Sequence, residues 1–164
     1  MMIAKSACFR AATLCLFAAV LLVACSSTTP YRSDVEKNLR IQVKASSGSM
    51  LQRLNVGLHI YDVDPKCQLV YRGTVKLDGS PVDVGLPVNR RMYLEFYFVK
   101  SAVLYNSSSS VTYGMLLQPR AAQEYVAEAS YLDDLYKVQL REKSRGSASG
   151  RVIERRALET CVSH

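Results

Sequence analysis

Thiols, imidazoles and closely spaced carboxylates are the groups in this chain that could do chemistry. Asp62-Val63-Asp64 places two carboxylates at the end of an alternating stretch, where they could offer oxygen ligands to calcium. The Asp-x-Asp-x-Asp-Gly loop of a complete calcium site is missing, so this pair, like Asp133-Asp134, reads as a turn. His164 ends the chain and reads as frayed. His59 falls on the polar side of a strand and reads as a solvated or sheet-surface histidine. Serines are plentiful, but no Gly-x-Ser-x-Gly elbow is present to offer one as a nucleophile. Nothing resembles a glycine loop that cradles phosphate. Two downstream thiols, Cys67 and Cys161, fall short of the four ligands a structural zinc usually takes. The expectation is a chain with no catalytic residue, no metal site and no cofactor.

The remaining cysteines lie early. Lys5 and Arg10 precede an apolar run from Ala11 to Ala24, and Cys25 closes it. A charged start, a short apolar segment and a small residue at the cut are the three parts of a secretory signal. The run is shorter than the roughly 20 apolar residues of a spanning helix. Leu22-Val23-Ala24-Cys25 resembles the lipobox of bacterial lipoproteins. That resemblance implies cleavage before Cys25, a diacylglycerol on its sulfur and an acyl chain on the new amine. Several chains make a firm anchor, since each buried CH₂ adds about 0.8 kcal/mol. Ser26, rather than Asp, follows the cysteine. In the enterobacterial type of lipoprotein this implies sorting to the outer membrane, with the domain facing the periplasm. The expected partner of Cys25 is thus the lipid bilayer.

Removing residues 1–24 leaves 140 of 164 residues, enough for one domain with a real core. With Lys5 and Arg10 gone, the net charge falls from +7 to +5. A moderate positive charge suits anionic lipid, lipid A phosphates or peptidoglycan carboxylates, and it also serves plain solubility. Secretion argues against nucleic acid as a partner. Cys8 and Cys15 leave with the signal and Cys25 takes lipid, so Cys67 and Cys161 remain as an even pair in an oxidising compartment. A disulfide between them is expected, tying the C-terminal segment to the start of a middle strand.

What must position these residues is read from a period of two, the strand signal. Residues 25–37 read as a lipidated polar tether, and 38–164 as the folded domain. Leu39, Ile41 and Val43 alternate with polar residues, as do Val56, Leu58 and Ile60. Leu69 to Leu77, Val82 to Leu86, Val111 to Leu117, Tyr125 to Tyr131 and Tyr136 to Leu140 continue the pattern. Met92, Leu94, Phe96 and Phe98 form the most apolar face, and the opposite face is only half polar, which predicts a central strand or a contact surface. Asn106 to Ser110 and Lys143 to Gly150 read as polar loops. The tail reads as a last strand from Val152 and then a helical turn through Ala157, Leu158 and Cys161. Eight or nine short strands and no long amphipathic helix predict a single all-β domain. The expected architecture is an antiparallel β-sandwich, immunoglobulin-like or transthyretin-like, with a small barrel as the alternative.

Two features point to binding. The chain has ten tyrosines, and Tyr93 and Tyr97 fall on the outward face of the most apolar strand, where tyrosine suits an interface. The C-terminal region is basic, and Arg145, Arg151, Arg155 and Arg156 could meet phosphates or carboxylates of the envelope. The expected function is a non-catalytic envelope lipoprotein whose domain binds an envelope protein or an anionic envelope polymer. In plan and size the chain is similar to the outer-membrane lipoprotein of type VI secretion systems, which implies a docking role; the Cys67/Cys161 pair is no part of that pattern. An envelope hydrolase, or a periplasmic inhibitor using a strand edge, are the other readings.

Overall fold

The computed structural model describes residues 28–45, 52–102, 107–132 and 135–161. The signal segment, Cys25, Ser26, the Ser46–Ser49 break, the Asp133-Asp134 turn and His164 lie outside the described residues.

Among the described residues nine strands form: β1 (Leu39–Ala45), β2 (Gln52–Val63), β3 (Leu69–Leu77), β4 (Val82–Val84), β5 (Met92–Ala102), β6 (Ser107–Leu117), β7 (Gln123–Leu132), β8 (Leu135–Ser144) and β9 (Arg151–Ile153). A 3₁₀ turn, Leu158–Thr160, follows β9. The tail is therefore a short strand and a helical turn, as its spacing indicated. Strands β3-β2-β5-β6 make a four-stranded antiparallel sheet, and β4-β1-β7-β8-β9 make a five-stranded one. Inward residues of both meet in one core, the arrangement of a β-sandwich. Met92, Leu94, Phe96 and Phe98 of β5 and Leu58 and Ile60 of β2 are fully buried against Ile41, Ala127, Ala129 and Leu140 of the other sheet. Each large apolar side chain so buried contributes about 1.5–3 kcal/mol before entropy is counted.

The sandwich is not wholly antiparallel. Strand β1 runs parallel to β7, from Leu39 beside Tyr125 to Ala45 beside Tyr131, so the larger sheet is mixed. The period of two fixes which face a side chain takes, not which way a strand runs. Direction follows from connectivity: four strands of the other sheet and β4 intervene between β1 and β7. The expected polar loop at Asn106–Ser110 is corrected too. Ser107 to Ser110 pair with Ala102 to Val99 and form the start of β6. The free edge of β5 supplies their ladder partners, which overrides the weak strand preference of serine. Likewise β8 continues through Ser144, shortening the loop expected from Lys143.

The N-terminal segment closes the open side of the sandwich between β3 and β4. The Tyr31 N–H donates to the Thr74 carbonyl (2.9 Å), and the Thr74 N–H donates to that of Thr29 (2.8 Å). Pro30 thereby bridges Thr74 in parallel register. Gly73, at φ +145°, is needed there because a Cβ would press into the Tyr31 backbone. The Tyr31 hydroxyl donates to the Gly85 carbonyl (2.9 Å), linking the segment to the other sheet. Asn38 is buried and doubly bonded to Leu86: its Nδ2 donates to the Leu86 carbonyl and its Oδ1 accepts from the Leu86 N–H, both at 2.8 Å. The part of the expected tether that the structure describes is thus held against the body from Thr29 onward.

Cys67, in the turn between β2 and β3, is disulfide-bonded to Cys161, 94 residues away, with Cα atoms 5.9 Å apart. The chain leaves β9 in the five-stranded sheet and crosses the edge of β6, where the Leu116 N–H donates to the Arg156 carbonyl (2.7 Å). The disulfide then fixes it beside β2. This strap covers an edge strand that would otherwise expose a row of unpaired backbone groups.

Candidate binding face

The outward side of the four-stranded sheet carries the aromatic residues. Even positions of β5 point into the core, so Tyr93, Glu95 and Tyr97 point out. Register places Tyr61 of β2 between Tyr71 of β3 and Tyr93 of β5, and puts His59 beside Glu95 and Thr74. Ring centroids follow one another across the strands: Tyr71 to Tyr61 at 5.5 Å, Tyr61 to Tyr93 at 6.1 Å. The His59 imidazole stacks on Tyr97 at 4.5 Å and meets Tyr71 edge-on at 5.9 Å. Five rings therefore touch in one patch that includes both tyrosines expected from the sequence.

Two glycines form the bed on which these rings lie. Gly57 faces Tyr97 across the β2–β5 ladder, and a Cβ there would overlap the phenol. Gly114 of β6 lies under the Tyr93 ring in the same way. Aromatic rings laid over strand glycines cover backbone that has no side chain of its own. Tyr93 and Tyr97 thus lie over backbone, and the other rings tilt against them, with interplanar angles of 56° between Tyr61 and Tyr93 and 59° between Tyr61 and Tyr71.

A small polar network holds their orientation. Buried Thr74 joins two of the rings through its Oγ1, 2.7 Å from His59 Nδ1 and 2.5 Å from the Tyr71 hydroxyl. The Tyr61 hydroxyl donates to Glu95 Oε2 (3.2 Å). Burial, reinforced by the Glu95 charge, pushes Tyr61 up to about 12. Burial also raises Tyr93 and Tyr97, with Glu95 adding to the first and Arg155 opposing it. All three phenols are neutral at any physiological pH and can both donate and accept. His59 lies on the outward side of its strand, as its place in the alternation indicated, and is half-buried there because neighbouring outward positions carry tyrosines.

The basic set expected from the tail is not one surface. Arg155 lies at the β6 edge: its guanidinium sits 4.6 Å from the centre of the ring of Tyr113, which packs on the core side, its Nε donates to the Gly114 carbonyl (2.8 Å), and its charge reaches Tyr93 on the outward side. Arg156 lies where the strap meets β6, beside Leu116 and Cys161. Arg145 pairs with Glu36 (3.0 Å) and lies 3.9 Å from Glu124. Arg151 donates through Nη2 and Nε to Glu142 Oε2 at 2.8 and 3.0 Å. Two of the four arginines thus have carboxylate partners on this chain.

Glu142 is the polar residue that sequence reasoning missed. Its side chain is only 6% exposed. It accepts from Arg120 on both oxygens, from Arg151 on Oε2, and from the Tyr125 hydroxyl (3.1 Å) on Oε1. The Arg120 hydrogen bonds, aided by Arg151 and Tyr125, hold its carboxyl below the usual range against the opposing effect of burial. The signal was present in the pattern: Val138, Leu140 and Glu142 share the inward side of β8. Every partner is a structural one, so the cluster ties β7, β8, β9 and the loop after β6 together. Among the described residues no group of three His, Cys, Asp or Glu side chains could hold a metal ion. Set against known protein families, characterised proteins and solved structures, the chain matches none of them.

Proposed function

We propose that this chain is a non-catalytic, lipid-anchored outer-membrane protein. Its periplasmic β-sandwich, of immunoglobulin-like or transthyretin-like general shape, binds an envelope protein through the outward face of the four-stranded sheet. The single observation that carries the binding role is the patch of five contacting rings, His59, Tyr61, Tyr71, Tyr93 and Tyr97, at that face, with Tyr93 and Tyr97 laid over glycines. Tyrosine offers large contact area at low conformational cost and a hydroxyl for the polar rim, which suits a protein partner. A polyanionic polymer is the weaker reading, because Arg145 and Arg151 already have carboxylate partners. Anchoring rests on the likeness of Leu22-Val23-Ala24-Cys25 to the lipobox.

The experiment is cross-linking in intact cells followed by affinity capture, comparing the native chain with Tyr93→Ser/Tyr97→Ser. The expected result is loss of one captured envelope protein with the thermal transition of the domain preserved. An unchanged set of captured proteins removes the aromatic face from the account.

A further inference from the structure

The N-terminal segment and the start of β3 together say how the body sits on its membrane. We infer that the β3 edge of the sandwich, at Leu69, Val70 and Tyr71, lies in the headgroup region of the bilayer that holds the anchor. This rests on the acylation of Cys25 proposed above.

The reach of the chain limits how far the body can stand from its anchor. Backbone hydrogen bonds fasten the chain to β3 from Thr29 onward. Only three peptide steps separate Cys25 from Thr28, and a fully extended chain covers about 3.3–3.6 Å per residue. Thr28 therefore lies within roughly 10 Å of the acylated cysteine. The polar zone of each leaflet is itself about 5–7 Å deep. A body fastened at that distance cannot stand clear of the surface, whereas a free tether through residue 37 would let it.

Chain direction selects the edge that faces the membrane. Pro30 pairs with Thr74 in parallel register, so tracing the chain back from Tyr31 leads towards the start of β3. There the side chains turn apolar and open: Leu69 is 37% exposed, Val70 46% and Tyr71 42%. Three successive exposed apolar side chains at a sheet edge are a liability in water. At the interface they gain: aliphatic side chains enter the acyl boundary and tyrosine suits the headgroup level. The carboxylates at this end are already engaged. Asp62 pairs with Arg72, and Asp64 accepts from the Lys66 and Gln68 N–H groups at 2.8 and 2.7 Å. The aromatic face, which begins at Tyr71, then stands across the membrane plane and remains open to a partner arriving from the side.

The chain contains no tryptophan, so a single introduced one is an unambiguous probe. Val70→Trp and Leu69→Trp would be compared with Val152→Trp, whose site is 52% exposed on β9 at the edge of the other sheet. Each acylated full-length variant is placed in phosphatidylethanolamine–phosphatidylglycerol vesicles, with and without brominated acyl chains. The expected result is a blue shift and loss of most emission to bromine for Val70→Trp and Leu69→Trp, with neither for Val152→Trp. Acylated protein in which all three tryptophans respond alike overturns the inference and leaves the anchor intact. Protein whose mass shows no acyl chains overturns both.

Discussion

Glu142→Gln is the substitution whose consequence follows most fully from the structure. The replacement keeps the shape, removes the charge, and turns an amide N–H₂ towards guanidinium groups that also only donate. One oxygen can still accept from Tyr125, but the arginines lose their shared acceptor. A hydrogen bond to a charged group contributes about 1.5–3 kcal/mol. The side chains of Arg120 and Arg151 are 56% and 71% exposed and can turn to water, which argues for the lower part of that range. About 2 kcal/mol at neutral pH corresponds to a fall of roughly 5–10 °C in Tm for a domain of this size. The pH dependence adds a second check. The folded-state carboxyl is held below its unfolded value, so its stabilisation is fully present above the unfolded pKa, about 4.3, and is lost as pH falls through the folded value. Differential scanning calorimetry of both proteins from pH 7 downward should therefore show a gap that is constant above about pH 5 and narrows in acid. A gap of the same size at every pH, or none at pH 7, would refute the reasoning.

Asn38→Ala should cost about 2–4 kcal/mol in chemical denaturation, because it strands the buried N–H and C=O of Leu86 together. Reducing the disulfide, or replacing Cys67 and Cys161 by Ser, removes a constraint on a 94-residue separation, for which loop-closure entropy gives about 4–5 kcal/mol as an upper value. Calorimetry with and without reductant should show that loss in the native chain and no effect of reductant on the double variant. Gly114→Ala should lift the Tyr93 ring off its bed, lowering capture of the partner more than it lowers Tm.

Much of the architecture was legible because it depends on side-chain alternation. The two-sided apolar character of β5 correctly marked it as interior to its sheet, flanked by β2 and β6. Cys67 and Cys161 are joined as their even count suggested. What alternation cannot carry is direction and distant partnership. The parallel β1–β7 pairing and the serine ladder of β6 are both fixed by neighbours remote in sequence. The site was half legible for the same reason. Tyr93 and Tyr97 could be assigned to one face of one strand, but their junction with His59, Tyr61 and Tyr71 needed the register of three strands. Arg155 and Arg151 looked alike as basic tail residues; only the crossing of the strap separates a guanidinium on Tyr113 from one on Glu142. The polar composition of residues 28–37 gave no hint that two backbone hydrogen bonds to Thr74 hold them in place.

The membrane setting, the closeness of the body to the bilayer and the class of partner all depend on the state of one sulfur. Intact-mass and peptide mass spectrometry of the protein extracted from its native membrane tests this directly. The expected result is a chain beginning at Cys25, with a diacylglyceryl thioether on its sulfur and an acyl group on its amine. A chain that retains residues 1–24, or begins at an unmodified Cys25, would contradict it.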